Sequence, residues 1–302
     1  MVNDVLALHL RYSPILYAPA MKKGLCFLLL ALPCILLAQS PWARNKAGFY
    51  AQAGYNFIPT YATLFGADGT EIVLDHEVSE RQIQLYGEYG VTKKSTIICS
   101  LPIVFNARGA SNPASPFLYA VEDSGSIAGL GNVTVALRHQ FLHGKVALAG
   151  TLRVGFPAGA PYQPSTDLRT GYDAFTLLPM VNVGMGFRKS YGFLYGGYGY
   201  RSNQYSHFLQ FGIETGKQVG KFWLIGFSDM VYSLENGSRA LAGIDVLTGL
   251  YSNDQGWVSL GAKAIWEMNR FVGISLSGAG AIWARHVPKS PGIGAAVYFK
   301  WD

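Results

Sequence analysis

The stretch KVALAGTLRVGF, from Lys145 to Phe156, alternates two kinds of side chain. Every second residue from Val146 onward is apolar or glycine, and the residues between them, from Ala147 to Gly155, are small or polar. Because successive side chains of a β-strand point to opposite faces of a sheet, this pattern predicts a strand with one apolar face. The recurrence of such segments between turn residues is typical of a membrane β-barrel.

Similar alternation recurs along most of the chain and predicts the fold class. We expect an all-β protein, a transmembrane antiparallel up-and-down β-barrel of about twelve strands, whose closure pairs every backbone N–H and C=O inside lipid. The predicted strands lie near 47–58, 79–90, 95–107, 129–141, 145–156, 173–188, 191–202, 206–217, 221–233, 256–267, 271–284 and 291–302.

The strand count has one alternative. Leu241–Tyr251 is apolar enough to form a further strand, and a partner between Thr70 and Glu77 would then restore an even number, giving fourteen strands. The connections alternate in length, and outer-membrane barrels have short periplasmic turns and long extracellular loops. The predicted outer loops are 59–78, 108–128, 157–172, 234–255 and 285–290.

The beginning of the chain predicts export. A basic region at Met21–Lys23 precedes an apolar run from Leu25 to Ala38, and together they have the pattern of a secretory signal peptide cleaved after Ala38. The run is shorter than the roughly 20 residues that a membrane helix needs. We interpret residues 1–20 as a mis-assigned upstream start and residues 21–38 as the signal peptide.

Two further segments complete the predicted domain organisation. Residues 39–46 are expected to form a short N-terminal segment, too short for a plug inside the barrel, and residues 47–302 are expected to form the barrel itself. The signal and the aromatic final strand indicate the outer membrane of a Gram-negative bacterium as the location.

The composition and the histidine positions limit the possible partners and activities. Only 14% of the residues are charged and the formal net charge is +6 without a basic run, which excludes a nucleic-acid partner. The expected partners are outer-membrane lipid and a small-molecule solute. A barrel enzyme would need a nucleophile beside a histidine and an acid. No catalytic site, metal site or cofactor is predicted, because no such grouping or metal-ligand spacing surrounds His76, His139, His143, His207 or His286.

Two residues of the predicted strands bear on the assignment of faces. Cys99 is expected to face lipid as a small apolar residue. Asp229 shares the face of Trp223, Ile225 and Phe227, which the pattern assigns to lipid, where a carboxylate is costly except near an interface. We therefore expect a β-bulge or a position near the membrane rim at Asp229.

Seven charged side chains are predicted to point into the lumen if the apolar faces meet lipid. Two interpretations remain open. Either the charges form salt bridges that hold the barrel rigid, or they line a permeation path, in a barrel intermediate between the small filled type and the wide open porins. The seven residues are Glu88, Arg138, Arg153, Glu214, Lys263, Glu267 and Lys300.

The predicted turn at 142–144 sets the spacing of two of these charges. Counting back from this turn places Arg138 opposite about residue 148 and Arg153 opposite about residue 133. The two arginines would then be about 16 Å apart along the strands. This spacing predicts two layers of charge, with Arg138 nearer the periplasm and Arg153 nearer the outside.

Two short motifs resemble a known family. The run GLGNVTVALR, from Gly129 to Arg138, is similar to the glycine-rich strand opening of the outer-membrane proteins named after the MetA pathway of phenol degradation, and RVGFPAG, from Arg153 to Gly159, resembles a strand end of that family. The resemblance covers residues 47–302, and the family usually has Asp at the position of Asn132. It implies a barrel related to outer-membrane transporters of aromatic hydrocarbons and fatty acids.

The sequence therefore favours a channel or transporter-like barrel for the passive passage of small hydrophobic or aromatic molecules, without enzymatic activity. A structural or partner-binding outer-membrane barrel without transport is the first alternative. An outer-membrane lipid-acting enzyme is the second.

Overall fold

The computed structural model describes residues 39–113, 115, 124–239 and 248–301. These residues form an all-β structure in which twelve long strands make a closed antiparallel barrel and two short strands are added to it. The strands are β1 (Phe49–Phe65), β2 (Glu71–Gly90), β3 (Ser95–Ser111), β4 (Gly125–Leu130), β5 (Val133–Leu142), β6 (Val146–Phe156), β7 (Thr176–Phe187), β8 (Ser190–Arg201), β9 (Phe208–Val219), β10 (Phe222–Ser233), β11 (Gly256–Glu267), β12 (Val272–Arg285), β13 (Val287–Pro288) and β14 (Gly292–Trp301), with a 3₁₀ turn at Ala67–Gly69.

The long strands pair with their neighbours in sequence, and the barrel closes between its first and last strands. Phe49 of β1 lies opposite Trp301 of β14 on one side and opposite Tyr89 of β2 on the other. The short strands extend the wall, since β4 pairs with β3 and β13 pairs with the end of β1. The predicted twelve-stranded up-and-down barrel is confirmed.

Alternating burial separates the two faces of the wall. On β6, Ala147 and Ala149 are 1% and 0% exposed, whereas Val146 and Leu152 are 42% and 47% exposed. Large apolar side chains are exposed in the same way on the other long strands. An apolar belt of this kind is the surface that outer-membrane barrels present to lipid. Cys99 is also exposed on this outer face, in agreement with its predicted position.

The hairpin of β1 and β2 extends far beyond its predicted ends. The prediction of a loop over 59–78 is wrong, because β1 continues to Phe65 and β2 begins at Glu71. The separate strand between Thr70 and Glu77 that fourteen strands would need is also wrong, because residues 71–77 belong to β2. The extension is stabilised by a buried apolar cluster shared with two loops, formed by Ile58, Tyr61, Leu64, Leu74, Val78, Leu168 and Leu250.

The predicted strand 129–141 is divided into two pieces. β4 ends at Leu130 and β5 begins at Val133, and both pieces pair with β3. Asn132 occupies the break, where its side chain accepts a hydrogen bond from the N–H of Tyr172 at 2.6 Å and donates one to the carbonyl of Tyr172 at 2.8 Å. The break therefore attaches the loop between β6 and β7 to the wall.

The connections divide the barrel into two ends. The short connections lie at one end, which we call the turn end, and the long ones lie at the other, the loop end. In outer-membrane barrels the turn end faces the periplasm. In the described ranges, no helix has the length and apolar character to cross a membrane. Three predictions, the upstream start at 1–20, the signal peptide at 21–38 and most of the extra strand (240–247), lie outside the described residues.

Candidate functional site

Residues 39–48 run inside the barrel at the turn end, and we call them the plug segment. The segment begins against β7, where Asn182 Nδ2 donates a hydrogen bond to the carbonyl of Gln39 at 2.8 Å. It ends against β2, where the N–H of Ala47 donates to the carbonyl of Gly90 at 2.7 Å. Because β7 and β2 lie four strands apart in the ring, the segment crosses the lumen. The expectation that it is too short for a plug is wrong.

Side chains of the wall hold the middle of the plug segment. The N–H of Ala43 donates to Gln140 Oε1 at 3.0 Å, and the N–H of Arg44 donates to Thr96 Oγ1 at 2.8 Å. A segment of ten residues without periodicity gives no sequence signal of this docking, since the interaction depends on which wall side chains reach its backbone.

Glu88 is the centre of the ion pairs around the plug segment. Its carboxylate lies 2.7 Å from Arg44 Nε and 3.3 Å from a terminal nitrogen of Arg138, and it accepts a hydrogen bond from the hydroxyl of Tyr86 at 2.6 Å. Arg138 also donates to the carbonyl of Ser40 at 2.9 Å. Glu88 and Arg138 are only 4% and 1% exposed. Two of the seven predicted lumen charges therefore hold the plug segment.

Four more of the predicted charges form two separate ion pairs on the inner face of β9, β11 and β14. Lys263 Nζ lies 3.3 Å from the carboxylate of Glu214, and Lys300 Nζ lies 2.9 Å from that of Glu267. Both pairs are half-buried rather than sealed. The structure therefore brings six of the seven residues into ion pairs, and the seventh, Arg153, lies in a different part of the lumen.

The predicted spacing of the two arginines is wrong. Arg138 lies opposite Thr151 and Arg153 lies opposite Ala136, so the two are offset by two residues, or about 7 Å along the strands. The difference arises because the turn is at 143–145, one residue later than predicted, and because the pairing of β5 with β6 has a register shift between Gln140 and Leu142. The predicted order is correct, since Arg138 is nearer the turn end.

Aromatic side chains surround the plug segment inside the lumen. The Trp42 ring lies edge-on to Tyr191 and Phe193, with ring centres 6.0 and 6.1 Å apart. Tyr191 is in turn 5.5 Å from Trp223. This interior aromatic surface could not be predicted from alternation, because β8 and β10 carry large apolar residues on both faces and the pattern alone does not say which face meets lipid.

Asp229 belongs to this inner face. On β10, Ile225 and Phe227 are buried while Phe222 and Leu224 are exposed, so the residues that share a face with Asp229 point into the lumen. The prediction of a bulge or a rim position at Asp229 is wrong, since β10 pairs with both neighbours without a register shift.

Glycines of β9 lie opposite the interior aromatic residues of β8. Gly212 lies opposite Tyr195, and Gly216 lies opposite Tyr191. A Cβ at either glycine would collide with the facing phenol ring, so only glycine lets the ring lie flat against the wall. The phenol rings of Tyr191 and Tyr195 therefore lie over glycines of β9 on the inner face of these strands.

Beyond the aromatic surface, towards the loop end, the lumen widens into a cavity of about 240 Å³, which we call the outer chamber. Most of its wall is apolar or aromatic, and four charged side chains reach it. The apolar and aromatic part comprises Ile58, Tyr172, Leu178, Phe208, Val231, Leu250, Tyr251, Trp257, Val287 and Pro288, and the charged part comprises Glu80, Arg153, Arg201 and Asp229.

The loops that cover the outer chamber are fixed by hydrogen bonds. Tyr172 donates to Gln255 Oε1 at 2.5 Å, and Tyr251 donates to the carboxylate of Glu80 at 3.1 Å. Burial, together with the carboxylate of Glu80, raises the pKa of the Tyr251 hydroxyl well above its usual value. The phenol therefore stays protonated and remains a donor. Tyr61, on the barrel wall, donates a 2.7 Å hydrogen bond to the carbonyl of Thr248 in the loop.

A buried ionic cluster attaches one of these loops to β2 and β3. The guanidinium of Arg108, 0% exposed, lies 2.7 Å from the carboxylate of Asp75 and 3.2 Å from that of Asp167. Asn106 Nδ2 adds a hydrogen bond to the carbonyl of Arg169 at 2.6 Å. Since removing one member of a buried ion pair is strongly destabilising, this cluster keeps the cover of the chamber in place.

Several solved structures are similar to this chain. A COG4313 outer membrane channel from Pseudomonas putida F1 is similar, with a TM-score of 0.64, 12% identity, and coverage of 88% of this chain and 100% of that chain. The NanC porin has a TM-score of 0.46 at 7% identity, covering 84% and 100% of the two chains. The Pseudomonas putida toluene transporter TodX has a TM-score of 0.42 at 9% identity, covering 84% and 90%.

No family model matches the sequence, and no curated protein matches it, so the resemblance to the MetA-pathway proteins stays a prediction. At 12% identity the likeness to the COG4313 channel concerns the fold alone. The described part of the chain is a twelve-stranded β-barrel of the outer-membrane type.

Proposed function

We propose that this barrel lets small hydrophobic or aromatic molecules cross the outer membrane through its lumen. The observation that carries the proposal is the outer chamber, a mostly apolar cavity of about 240 Å³ inside a membrane barrel. Binding sites for small organic molecules are typically concave and apolar with a few placed polar groups. The charged residues Glu88, Arg138, Arg153, Glu214, Lys263, Glu267 and Lys300 are proposed to line the path.

The plug segment obstructs the passage of a solute along this path. A solute leaving the outer chamber meets Trp42 and the aromatic surface before it reaches the turn end. The ion pairs of Glu88 with Arg44 and Arg138 hold the segment across the lumen. Passage therefore requires that the solute slip past the segment on the side of β9 to β14, or that the segment move.

The test is ionic current through the protein, purified from the membrane and placed in a planar bilayer. We expect small currents, interrupted transiently when benzyl alcohol, a neutral aromatic solute, enters the lumen. The double change Trp42→Ala with Arg44→Ala should raise the current, because it removes the aromatic contact and one ion pair of the plug segment. Lys46→Ala, at an exposed position of the same segment, is the matched control and should leave the current unchanged.

A second experiment addresses the chamber. Val231→Trp would fill it from β10, and Leu178→Trp from β7. Both should abolish the interruptions by benzyl alcohol. Interruptions that persist in both variants would contradict passage through the chamber.

One observation favours the structural alternative, a barrel without transport. The plug segment and the covering loops occupy both ends of the lumen. If neither the wild-type protein nor the double variant, Trp42→Ala with Arg44→Ala, carries a current, this alternative replaces the proposal.

A further inference from the structure

We propose that the outer chamber is a recognition site for small amphipathic anions, each with an aromatic or aliphatic body and one carboxylate. Arg153 and Arg201 would bind the carboxylate, and the apolar wall would bind the body. The inference deepens the proposed function and rests on it, since a solute must enter the chamber before it can be recognised there.

The two arginines approach the chamber from strands on either side of β7. Arg153 of β6 lies opposite Leu178, and Arg201 of β8 lies opposite Thr176. Two strand spacings separate them by about 10 Å across the sheet, and two residues by about 7 Å along it. Both side chains line the same cavity, so one small ligand can contact both.

Arg201 is held in position by aromatic rings and keeps its donors free. Its guanidinium carbon lies 4.0 Å from the ring centre of Tyr172 and 4.3 Å from that of Phe208. Its Nε is buried, and none of the described residues accepts a hydrogen bond from it. Stacking of this kind fixes the plane of a guanidinium and leaves its edge available for a carboxylate.

Arg153 also has donors without a partner among the described residues, unlike the other six predicted lumen charges, which form ion pairs. Within the described part of the chain it makes no hydrogen bond and no ion pair, although its side chain is half-buried and lines the outer chamber. Buried charges are normally paired. The chamber therefore presents two guanidinium groups that make no hydrogen bond or ion pair with the described residues, with the carboxylate of Asp229 near Arg153.

The acids of the chamber already have donors. Asp229 accepts hydrogen bonds from Tyr195 at 2.5 Å, from Gln210 at 3.1 Å and from Trp257 at 3.2 Å. Glu80 accepts one from Tyr251. The chamber thus has hydrogen-bond donors without partners among the residues that the structure describes, but few free acceptors. A carboxylate supplies acceptors in the geometry that arginine binds best, whereas an amine would have to compete for acids that neutral donors already occupy.

The dimensions of the chamber limit the body of the ligand. An apolar cavity of roughly 150 Å³ is large enough for benzene, and the chamber measures about 240 Å³. The additional space accommodates a carboxylate and a short spacer. Leu178, Val231 and Trp257 supply apolar walls on three strands, so the expected ligands are of the size of a phenylalkanoate.

The experiment compares three probes of the same shape in the wild-type protein. Phenylacetate, phenylacetamide and phenethylamine are added in turn to the bilayer, and the duration of current interruptions is measured. We expect interruptions by phenylacetate to last about tenfold longer than those by phenylacetamide, because charge-assisted bidentate hydrogen bonds are stronger than neutral ones. Equal durations for the acid and the amide, or the longest ones for the amine, would overturn the proposal.

Variants then identify the residues. Arg153→Met and Arg201→Met should each shorten the phenylacetate interruptions to those of the amide, and Arg153→Lys should retain part of the effect because it keeps the charge without the planar fork. Arg188→Met, at an exposed position in a turn at the opposite end, is the control and should behave like the wild type. Unchanged durations in both Met variants, with folding verified by heat-modifiable migration, would contradict the assignment to these arginines.

The two proposals fail in different ways. If no aromatic probe of any charge interrupts the current, the proposed function itself is wrong. If the neutral amide interrupts the current as well as the acid does, passage stands and the recognition of anions is wrong. The probe series uses only the wild-type protein. It can therefore still contradict the proposal if a Met variant does not fold.

Discussion

The hydroxyl of Tyr195 on β8 donates a hydrogen bond at 2.5 Å to the carboxylate of Asp229 on β10, although β9 lies between the two strands. Gly212 of β9 lies opposite both residues. Because Gly212 has no side chain, the phenol ring of Tyr195 can cross β9 to reach the acid. An acid that would be costly on a lipid face is thereby satisfied inside the lumen.

Gly212→Val tests this arrangement. The new side chain would collide with the Tyr195 ring, and overpacking of this kind costs about 1–3 kcal/mol in the free energy of unfolding. We expect this loss in urea titrations of the protein in lipid vesicles. Gly226→Val is the matched control, because Gly226 faces outward on β10 with no neighbour within 4 Å of an added Cβ. Equal stability of the two variants would contradict the contact.

Leu152→Arg tests the outward face of β6. Leu152 is 47% exposed near the middle of the strand, and an arginine at the centre of the membrane costs about 2–4 kcal/mol in the free energy of unfolding. Leu142→Arg, at the turn end of β5, should cost about 0–1 kcal/mol because it lies near the interface. A reversed ranking in unfolding titrations would show that the strand is placed at the wrong depth.

Glu88→Gln tests the ion pairs that hold the plug segment. The change leaves the buried guanidinium of Arg138 without its acid, and removing one partner of a buried pair costs about 3–5 kcal/mol. Adding Arg138→Gln should recover part of this loss, since the two sites are coupled. Glu77→Gln, at an exposed position of β2, should be neutral. Strict additivity of the Glu88 and Arg138 changes would argue against a direct pair.

Cys99 offers a chemical test of which face meets lipid. Its side chain is exposed on the outer face of β3, so in vesicles we expect slow reaction with a charged maleimide and fast reaction with an apolar one. Lys93→Cys combined with Cys99→Ser places a thiol in the exposed turn 91–94 and should react quickly with both. Rapid labelling of Cys99 by the charged reagent would contradict its burial in lipid.

The strands could be predicted from sequence because their signal is local and repeated. The alternation in Lys145–Phe156 has the two-residue period of a strand with one lipid face, and each predicted segment except 129–141, which is divided between β4 and β5, coincides largely with one strand. The faces of β10 could not be assigned in this way. Both Phe222 and Trp223 are large and apolar, and the side that points inward is visible only from the burial of Ile225 and Phe227 further along the strand.

The site was less predictable than the fold. Glu88 and Arg138 could be placed on the inner face from alternation, but their partner Arg44 lies in a segment without a repeating pattern. The outer chamber depends on contacts between distant parts of the chain, such as Tyr172 with Gln255. Contacts of this kind depend on loop conformation and on the register of strands far apart in sequence, which a single sequence does not encode as a local pattern.

The plug segment also constrains the order of assembly. It precedes the first strand, yet its anchors lie on β3, β5 and β7. These anchors are synthesised later than the segment itself and face one another only once the sheet has curved. The segment therefore reaches its final position after a large part of the sheet has formed. The docked segment is thus a product of biogenesis that follows the pairing of β1 to β7.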